Sequence, residues 1–400
     1  MNIYNYIKQN GLRNVLDVIY HYKIDVCIQK VLYKFLKNKK LKNIIMIESH
    51  NDFDTNGGAF YNYLIKNGYN NKYKIVWLLK NYKLCPLELP ENVECVPENK
   101  PSIKKDYYMC VGKIFTYDQN CRKKMKDDQV SIYFSHGSVG LKDCTGMMNL
   151  PDDLDYCLTA SDFFAPIDAR QYLWEYPNKK QVICGFPEHD RFYDDELGDL
   201  SKVVDYKFDK VILWMPTFRV ADLNRKDSII EQKLGIPLIS TLEEYKSIDE
   251  KLKQKNVLLI IKIHPKQNLE TLMIKDTSNI KVLTGDRVKV LNVDNIALMK
   301  DVDALVSDYS SAAYDFLHMN KPIAYDFSDL ESYSRGIVVD DPHEMIAGHE
   351  IKNIEDFYNF IDDVSEGKDP YKKQREQLFD KIFKYHDGNS CKRIAELLKL

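Results

Sequence analysis

The chain has no CxxC pair, and its 9 Cys stand at irregular spacings. A disulfide framework or a zinc site needs pairing or clustered ligands, so both are excluded and reduced thiols of a cytosolic protein are expected. There is no apolar opening segment of the signal-peptide kind. Nor is there an uninterrupted apolar run of roughly 20 residues, so no membrane span is expected. Charge of one sign is missing too: the net charge is −3, which offers nucleic acid no attraction from the chain as a whole. No GxGxxG, Walker loop or GxSxG elbow occurs, and HEMIAGH (343–349) has the wrong spacing for a zinc helix and reads as surface. Asp52–Phe53–Asp54 and Asp301–Val302–Asp303 imitate a metal-binding DxD, but the second opens a strand, the wrong end for a site.

What is present is a soluble globular composition, 44% hydrophobic and 29% charged, over 400 residues. That length predicts two domains. Strand-like apolar runs alternate with helix-like segments, the sign of parallel βαβ units. The first half offers NIIMIES (43–49), YKIVWLL (73–79), MCVGKIFTY (109–117), VSIYFSH (130–136), YCLTAS (156–161) and QVICGF (181–186). The second offers KVILWMP (210–216), NVLLIIKIHP (256–265), IKVLTG (280–285), DALVSD (303–308) and KPIAYDF (321–327). The polar stretch 194–209 is the expected joint. The fold class is therefore α/β, two Rossmann-like domains with parallel sheets: 44–200, and 201–400 with a closing C-terminal helix.

Residues 1–43 form a third element. Lys8, Arg13, Lys23, Lys30, Lys34, Lys37, Lys39, Lys40 and Lys42 face only Asp17 and Asp25, with Val15, Ile19, Ile28, Val31, Leu32 and Phe35 at helical spacing. A basic amphipathic helix suits an anionic membrane surface, and equally a helix packed on the body with a solvated lysine face.

In open α/β sheets ligands bind beyond the carboxyl ends of the strands. Four runs end there in polar groups: Ser135–His136–Gly137, Pro216–Thr217–Phe218–Arg219, Lys262–Ile263–His264–Pro265 and Asp308–Tyr309–Ser310–Ser311. Ser310 and Ser311 open a helix-like segment, AAYDFLHMN, where free N–H groups and hydroxyls suit a phosphate or simply cap the helix. Asp308 is expected to orient a neighbour, since like charges repel. The planar fork of Arg219 suits phosphate or carboxylate. His264 is set to donate to a phosphate oxygen, and His136 to take a hydroxyl proton near neutral pH. Gly137 and Gly140 allow close backbone approach.

SHG…LK (135–142), GFPEHDRF (185–192), WMPTFR (214–219), KIHP (262–265), SDYSSAAYDFLHMNKPIAYDF (307–327), SYSRG (332–336) and YHDGNSCKRI (385–394) together resemble the CDP-glycerol glycerophosphotransferase family. ESHNDFDTNGGAFYNYLIKNG (48–68) resembles the segment that opens that family's amino-terminal domain. The resemblance spans about residues 44 to 395 in the family's order. It departs at Glu188, where the family's segment carries arginine. It implies a GT-B fold with the donor held mainly by the second domain across a central cleft, no metal or other cofactor, and a CDP-polyol as donor with CMP as leaving group. His136 is then the candidate general base. Arg219, His264, Ser310 and Ser311 hold the donor's phosphates. Gly137, Lys142, Thr217, Asp308 and Tyr309 support them, and Asp387, Gly388 and Ser390 close the pocket.

The expected partners are CDP-glycerol or CDP-ribitol and a lipid-linked saccharide, growing polyol-phosphate polymer or capsular glycan, at the inner face of the cell membrane. The length, with little room for an acceptor-tethering domain, points to a primase or short-chain enzyme. A GT-B glycosyltransferase using a UDP- or GDP-sugar and a catalytically silent binding protein of the same fold are the alternatives.

Overall fold

Buried parallel strands must be apolar on both faces, and two sets of such strands carry this chain. The computed structural model describes residues 12–135, 137–219, 228 and 232–400. The described residues form two compact units, each with its own parallel sheet.

The first unit comprises Met1–Gly137, Thr145–Asp190 and Tyr385–Leu400. Its strands are β1 (Lys42–Glu48), β2 (Lys74–Leu79), β3 (Val93–Pro97), β4 (Gly112–Tyr117), β5 (Val130–Tyr133), β6 (Tyr156–Leu158) and β7 (Gln181–Val182), in the order β3-β2-β1-β4-β5-β6-β7. Central β1 is buried from Ile44 through Ile47 and pairs through Ile45 with both Ile75 and Ile114.

The second unit comprises Ser138–Cys144 and Arg191–Lys384. Its strands are β8 (Lys210–Trp214), β9 (Val257–Lys262), β10 (Ile280–Leu283), β11 (Ala304–Ser307), β12 (Ile323–Asp326) and β13 (His349–Ile351), in the order β10-β9-β8-β11-β12-β13. From Val257 to Ile261 every side chain of β9 is sealed from solvent, and the core continues through Ile212, Trp214, Ile248, Phe357 and Phe360. Both orders are the doubly wound Rossmann order, which reverses between β1 and β4 in the first sheet and between β8 and β11 in the second. Those reversals are where such sheets open for ligands.

Several boundaries differ from the sequence expectation. Met109–Val111 ends the helix Ile103–Val111 instead of starting β4, because a short buried apolar run serves a helix end as well as a strand. Ser102 Oγ caps that helix by accepting from Lys105 N. β3 and β13 were not anticipated; both are edge strands, interrupted or flanked by polar residues. β13 takes in His349 and so removes it from the surface assigned to HEMIAGH, whereas His343 is half-exposed between Asp341 and Glu350.

The units part at Asp190 and Arg191, ahead of the polar joint. The closing helix Ser390–Leu397 belongs to the first unit because Asp190 accepts from Ser390 N and Cys391 N, capping it (both 2.8 Å). Of the basic segment, the described helix Leu12–Leu36 packs Leu32, Tyr33 and Leu36 on the first unit's core, the second of its two expected settings. The fully buried Lys105 Nζ donates to Asp25 (2.6 Å) and to the carbonyls of Glu98 and Lys100. The opening residues 1–11 of the basic segment lie outside the described residues.

Beside that ion pair, Asp106 is pushed up to about 7, by burial and then by the adjacent Asp25 carboxylate. An unfolded aspartate titrates near 3.9, so between about pH 4 and 7 the folded state holds the extra proton. Stability from this group therefore falls as pH rises through that window. Asp106→Asn is expected to melt several degrees above the parent at pH 8 and level with it near pH 4.5. Equal melting at pH 8 would refute the assignment.

Candidate active site

In the second unit the site begins where β8 and β11 diverge. Their next residues, Met215–Arg219 and Asp308–Ser311, leave the sheet side by side, with Met215 N donating to Val306 O (2.8 Å). Asp308, fully buried, accepts from Thr217 N (2.9 Å), Thr217 Oγ1 (2.5 Å) and Arg219 Nη1 (2.7 Å). Burial alone would raise its pKa, but Arg219 first, then Lys142 and Thr217, hold it below the usual carboxylate range.

Arg219 is itself 0% exposed. Its Nε and Nη2 grip Asp329 (2.7 and 3.0 Å), and Nη1 also donates to Thr217 O (2.9 Å). The guanidinium lies 5.1 Å from the ring centre of Tyr309 and 5.6 Å from that of Tyr333, two rings stacked at 3.9 Å. Tyr309 OH closes the group by donating to Asp329 (3.1 Å). This corrects the expected role of Arg219 as a phosphate ligand. Two buried carboxylates and a carbonyl occupy its fork, so it locks the ends of β8, β11 and β12 together. Tyr309, expected in a supporting role, belongs to the same lock.

His264 follows β9 and packs on Phe218 with ring centres 4.8 Å apart. Its Nδ1 accepts from Lys266 N (3.0 Å), which leaves the ring proton on Nε2. Burial, followed by Lys142, Lys266 and Lys262, pushes its pKa down to about 3. At neutral pH it is an uncharged ring with one N–H to offer. Ser310 and Ser311 are half-exposed, and Ser310 Oγ accepts weakly from Ala312 N (3.4 Å). The helix they open is the single turn Ala312–Asp315, continued as a tighter turn over Phe316–Met319. Its dipole is correspondingly small, so the hydroxyls and local N–H groups are what it can offer an anion.

Lys142 reaches this unit on the excursion Ser138–Cys144, which forms a bridge between Lys142 and Ile337. Gly140 sits against Tyr309 O and Ser311 N at ordinary contact distance, so its close approach is to protein backbone. The remaining expected residues fall in the first unit or outside the described residues. His136 lies outside the described residues; the adjoining Gly137 closes the first unit's segment. Asp387, Gly388 and Ser390 belong to the first unit, where Asp387 is paired with Arg393 (2.8 and 2.9 Å) and Gly388 takes a positive φ of 67° in the turn. Within that unit they shape the turn that leads into the last helix, Ser390–Leu397.

The first unit has a counterpart where β1 and β4 diverge. Asp118 accepts from Thr55 Oγ1 (2.5 Å) and Gly57 N (2.9 Å), and Glu48 Oε2 accepts from Asp118 N and Gln119 N. With no arginine in its hydrogen-bond set, burial pushes Asp118 well above the carboxylate range. Of the DxD-like pair, Asp52 accepts from Lys80 N and Asn81 N, and Asp54 caps the helix Thr55–Lys66. The sequence reading missed Asp329, Tyr333, Glu48 and Asp118. A carboxylate at the end of an apolar strand was the available signal for Glu48 and Asp118; Tyr333 lies in the SYSRG segment but was given no role there, and Asp329, in a loop, carried no signal.

The model of the CDP-Glycerol:Poly(glycerophosphate) glycerophosphotransferase family matches residues 30–400. The teichoic acid glycerol-phosphate primase of Bacillus subtilis (strain 168) is 27% identical over 331 residues, covering 78% of this chain and 77% of that protein. The teichoic acid ribitol-phosphate polymerase TarL of Staphylococcus aureus (strain NCTC 8325 / PS 47) is 25% identical over 55% of this chain, but the match spans only 37% of TarL. The solved structure of the wall teichoic acid polymerase TagF superposes with a TM-score of 0.71 at 16% identity, covering 100% of this chain and 98% of that one. The fold is thus the two-Rossmann-unit architecture of the GT-B class. With a family match over more than nine-tenths of its length, the chain belongs to the CDP-glycerol:poly(glycerophosphate) glycerophosphotransferase family.

Proposed function

We propose that the chain is a transferase that moves a polyol phosphate, glycerol phosphate ahead of ribitol phosphate, from a CDP-polyol to an acceptor hydroxyl. CMP is released, and the product belongs to a teichoic-acid-like or capsular polymer. The family match carries this reading, and the second unit's strand ends support it. There the carboxylates Asp308 and Asp329 are spent on Arg219, while His264 Nε2–H, two serine hydroxyls and Lys142 remain for an anion. A UDP- or GDP-sugar enzyme needs carboxylates to grip ribose or sugar hydroxyls, and Asp308 and Asp329 are already committed.

In the proposed reaction the acceptor oxygen attacks the polyol-bearing phosphorus. The bond to the bridging oxygen breaks, and its electron pair leaves on CMP. The hydroxyl proton passes to His136. Such transfers depend on positioning and charge neutralisation more than on covalent help. Protein cations and N–H donors are proposed to supply it, so turnover is expected to persist in EDTA.

No described helix is long and apolar enough to cross a membrane. The helix Leu12–Leu36 exposes Lys23, Lys30 and Lys34 beside Val31 and Phe35, a face suited to an anionic lipid surface at the cytoplasmic leaflet, where a lipid-linked acceptor would lie.

The test is thermal stabilisation by CDP-glycerol, CDP-ribitol, UDP-glucose and GDP-mannose in turn, with CMP release followed on adding acceptors. A ligand that binds only the folded protein raises its melting temperature. Selective stabilisation by a CDP-polyol is the expected result, and stabilisation by a UDP- or GDP-sugar alone would overturn the proposal. In the same assay His264→Ala is expected to weaken CDP-polyol binding about 10- to 100-fold, the value of one hydrogen bond to a charged group. Unchanged affinity by calorimetry would remove His264 from the donor site.

A further inference from the structure

A general base works only if the chain that carries it is aimed, and in the first unit one buried side chain is placed to do the aiming. We propose that Asn56 is a positioning residue for the transfer: its amide sets the direction in which the chain leaves β5, and so presents the residue after Ser135 to the acceptor hydroxyl. This rests on the reading of His136 as the base.

Asn56 lies in the first turn of the helix Thr55–Lys66 and is 0% exposed. Its Nδ2 donates to Ser135 O (2.9 Å), and its Oδ1 accepts from Glu188 N (3.1 Å). The two partners fix which way the amide points, because a carbonyl only accepts and a backbone N–H only donates. Turning the amide over would set oxygen against oxygen. Ser135 holds a φ of 70°, a conformation that persists in a side-chain-bearing residue only where its neighbours impose it. Four residues on from Asn56, and so on the same helix face, Phe60 meets Phe134 edge-on with ring centres 5.5 Å apart, both rings fully buried. One helix face therefore holds two consecutive residues, Phe134 through its ring and Ser135 through its carbonyl.

The helix is anchored on both sides of Asn56. Asp118, following β4, accepts from Thr55 Oγ1 (2.5 Å) and from Gly57 N (2.9 Å). A Cβ on Gly57 would come within 3.0 Å of Ser49 Cβ and 3.1 Å of Glu48 O, so the first turn is seated directly on the end of β1. Asn56 thus transmits the position of the sheet to the turn after β5. The carbonyl it holds belongs to the peptide that joins Ser135 to the next residue. That peptide is planar, so fixing its oxygen fixes the course of the chain beyond it. A base must stand within hydrogen-bond reach of the proton it takes, and a displacement of about 1 Å can cost about 10²-fold in rate.

The experiment is a double-mutant cycle. CMP release from CDP-glycerol, with a lipid-linked saccharide as acceptor, is followed in the parent, Asn56→Ala, His136→Ala and the double variant, each well below its melting temperature. Asn56→Ala is expected to lower kcat about 10- to 100-fold and to leave KM for CDP-glycerol within about threefold, since the loss falls on alignment and not on donor binding. In the His136→Ala background the same substitution should change the residual kcat by less than about threefold, because there is no base left to aim. An asparagine that serves only the fold would cost both backgrounds alike. Should Asn56→Ala not fold, Asn56→Leu removes the amide while filling nearly the same space, and it carries the same expectation. Parent-like kcat in the Asn56 variant, a rise in KM at unchanged kcat, or equal losses in both backgrounds overturns the proposal. If His136→Ala is impaired while the Asn56 variant is not, the base reading stands and the positioning role falls. If His136→Ala turns over like the parent, the base reading falls and takes this proposal with it.

Discussion

Arg219→Ala is expected to destabilise the second unit by about 3–5 kcal/mol, the cost of removing one partner from a buried ion pair. That is a large share of the roughly 5–15 kcal/mol by which a folded domain exceeds its unfolded state. The substitution strands Asp308, 0% exposed, and Asp329, 5% exposed, with only Thr217 and Tyr309 among the donors that now hold the group together. It also empties the space against Tyr309 and Tyr333.

The pH dependence of this loss carries a sign. In the parent, Asp308 titrates below its unfolded value, so its contribution is present above about pH 4 and disappears as pH falls through the folded pKa. In Arg219→Ala, burial is no longer offset by the guanidinium at Asp308, so its carboxylate is expected to titrate higher and protonation to relieve it. The deficit relative to the parent should therefore shrink between pH 7.5 and pH 5. Urea unfolding at the two pH values measures it. A loss below about 1 kcal/mol at pH 7.5, with donor affinity reduced instead, would restore Arg219 as a phosphate ligand and remove the lock.

His136→Ala is expected to lower kcat by about 10²–10⁴-fold while CDP-polyol affinity survives, the range for losing a positioned general base. The described residue before it, Ser135, is itself held in place. Ser135 carries a positive φ of 70°, uncommon for a side-chain-bearing residue, and its carbonyl accepts from the fully buried Asn56 Nδ2 (2.9 Å). Asn56 Oδ1 in turn accepts from Glu188 N (3.1 Å), so Ser135 is tied to a helix and to the GFPEHD segment together. A base with an ordinary histidine pKa must be neutral to act, so the parent's kcat should fall on the acid side of about pH 6.5. The variant should lose that limb. Turnover within a few-fold of the parent, or an unchanged acid limb, would rule out His136 as the base.

The strands were legible because a strand covered on both faces is an unbroken apolar run, as in NIIMIES and NVLLIIKIHP. The elements misread or missed, Met109–Val111, β3 and β13, are those where burial is one-sided or the run is too short to carry a period. At the site, the sequence marked the right strand ends but not which side chains turn inward. Arg219 reads as a ligand from WMPTFR alone. Only the fold brings Asp329 to it from 110 residues away and consumes its fork.

By itself, then, the sequence determined the two Rossmann-like sheets, the strand ends at which polar groups collect, and the family, since each is written in local runs and in ordered motifs. The tertiary structure alone decided which of those groups are spoken for. It paired Arg219 with Asp308 and Asp329, returned the last helix to the first unit, and carried Lys142 to the second on a bridge to Ile337. Whether a charge is free or neutralised depends on what lies within a few ångströms of it. Partners at that range come from distant segments, which no local pattern records.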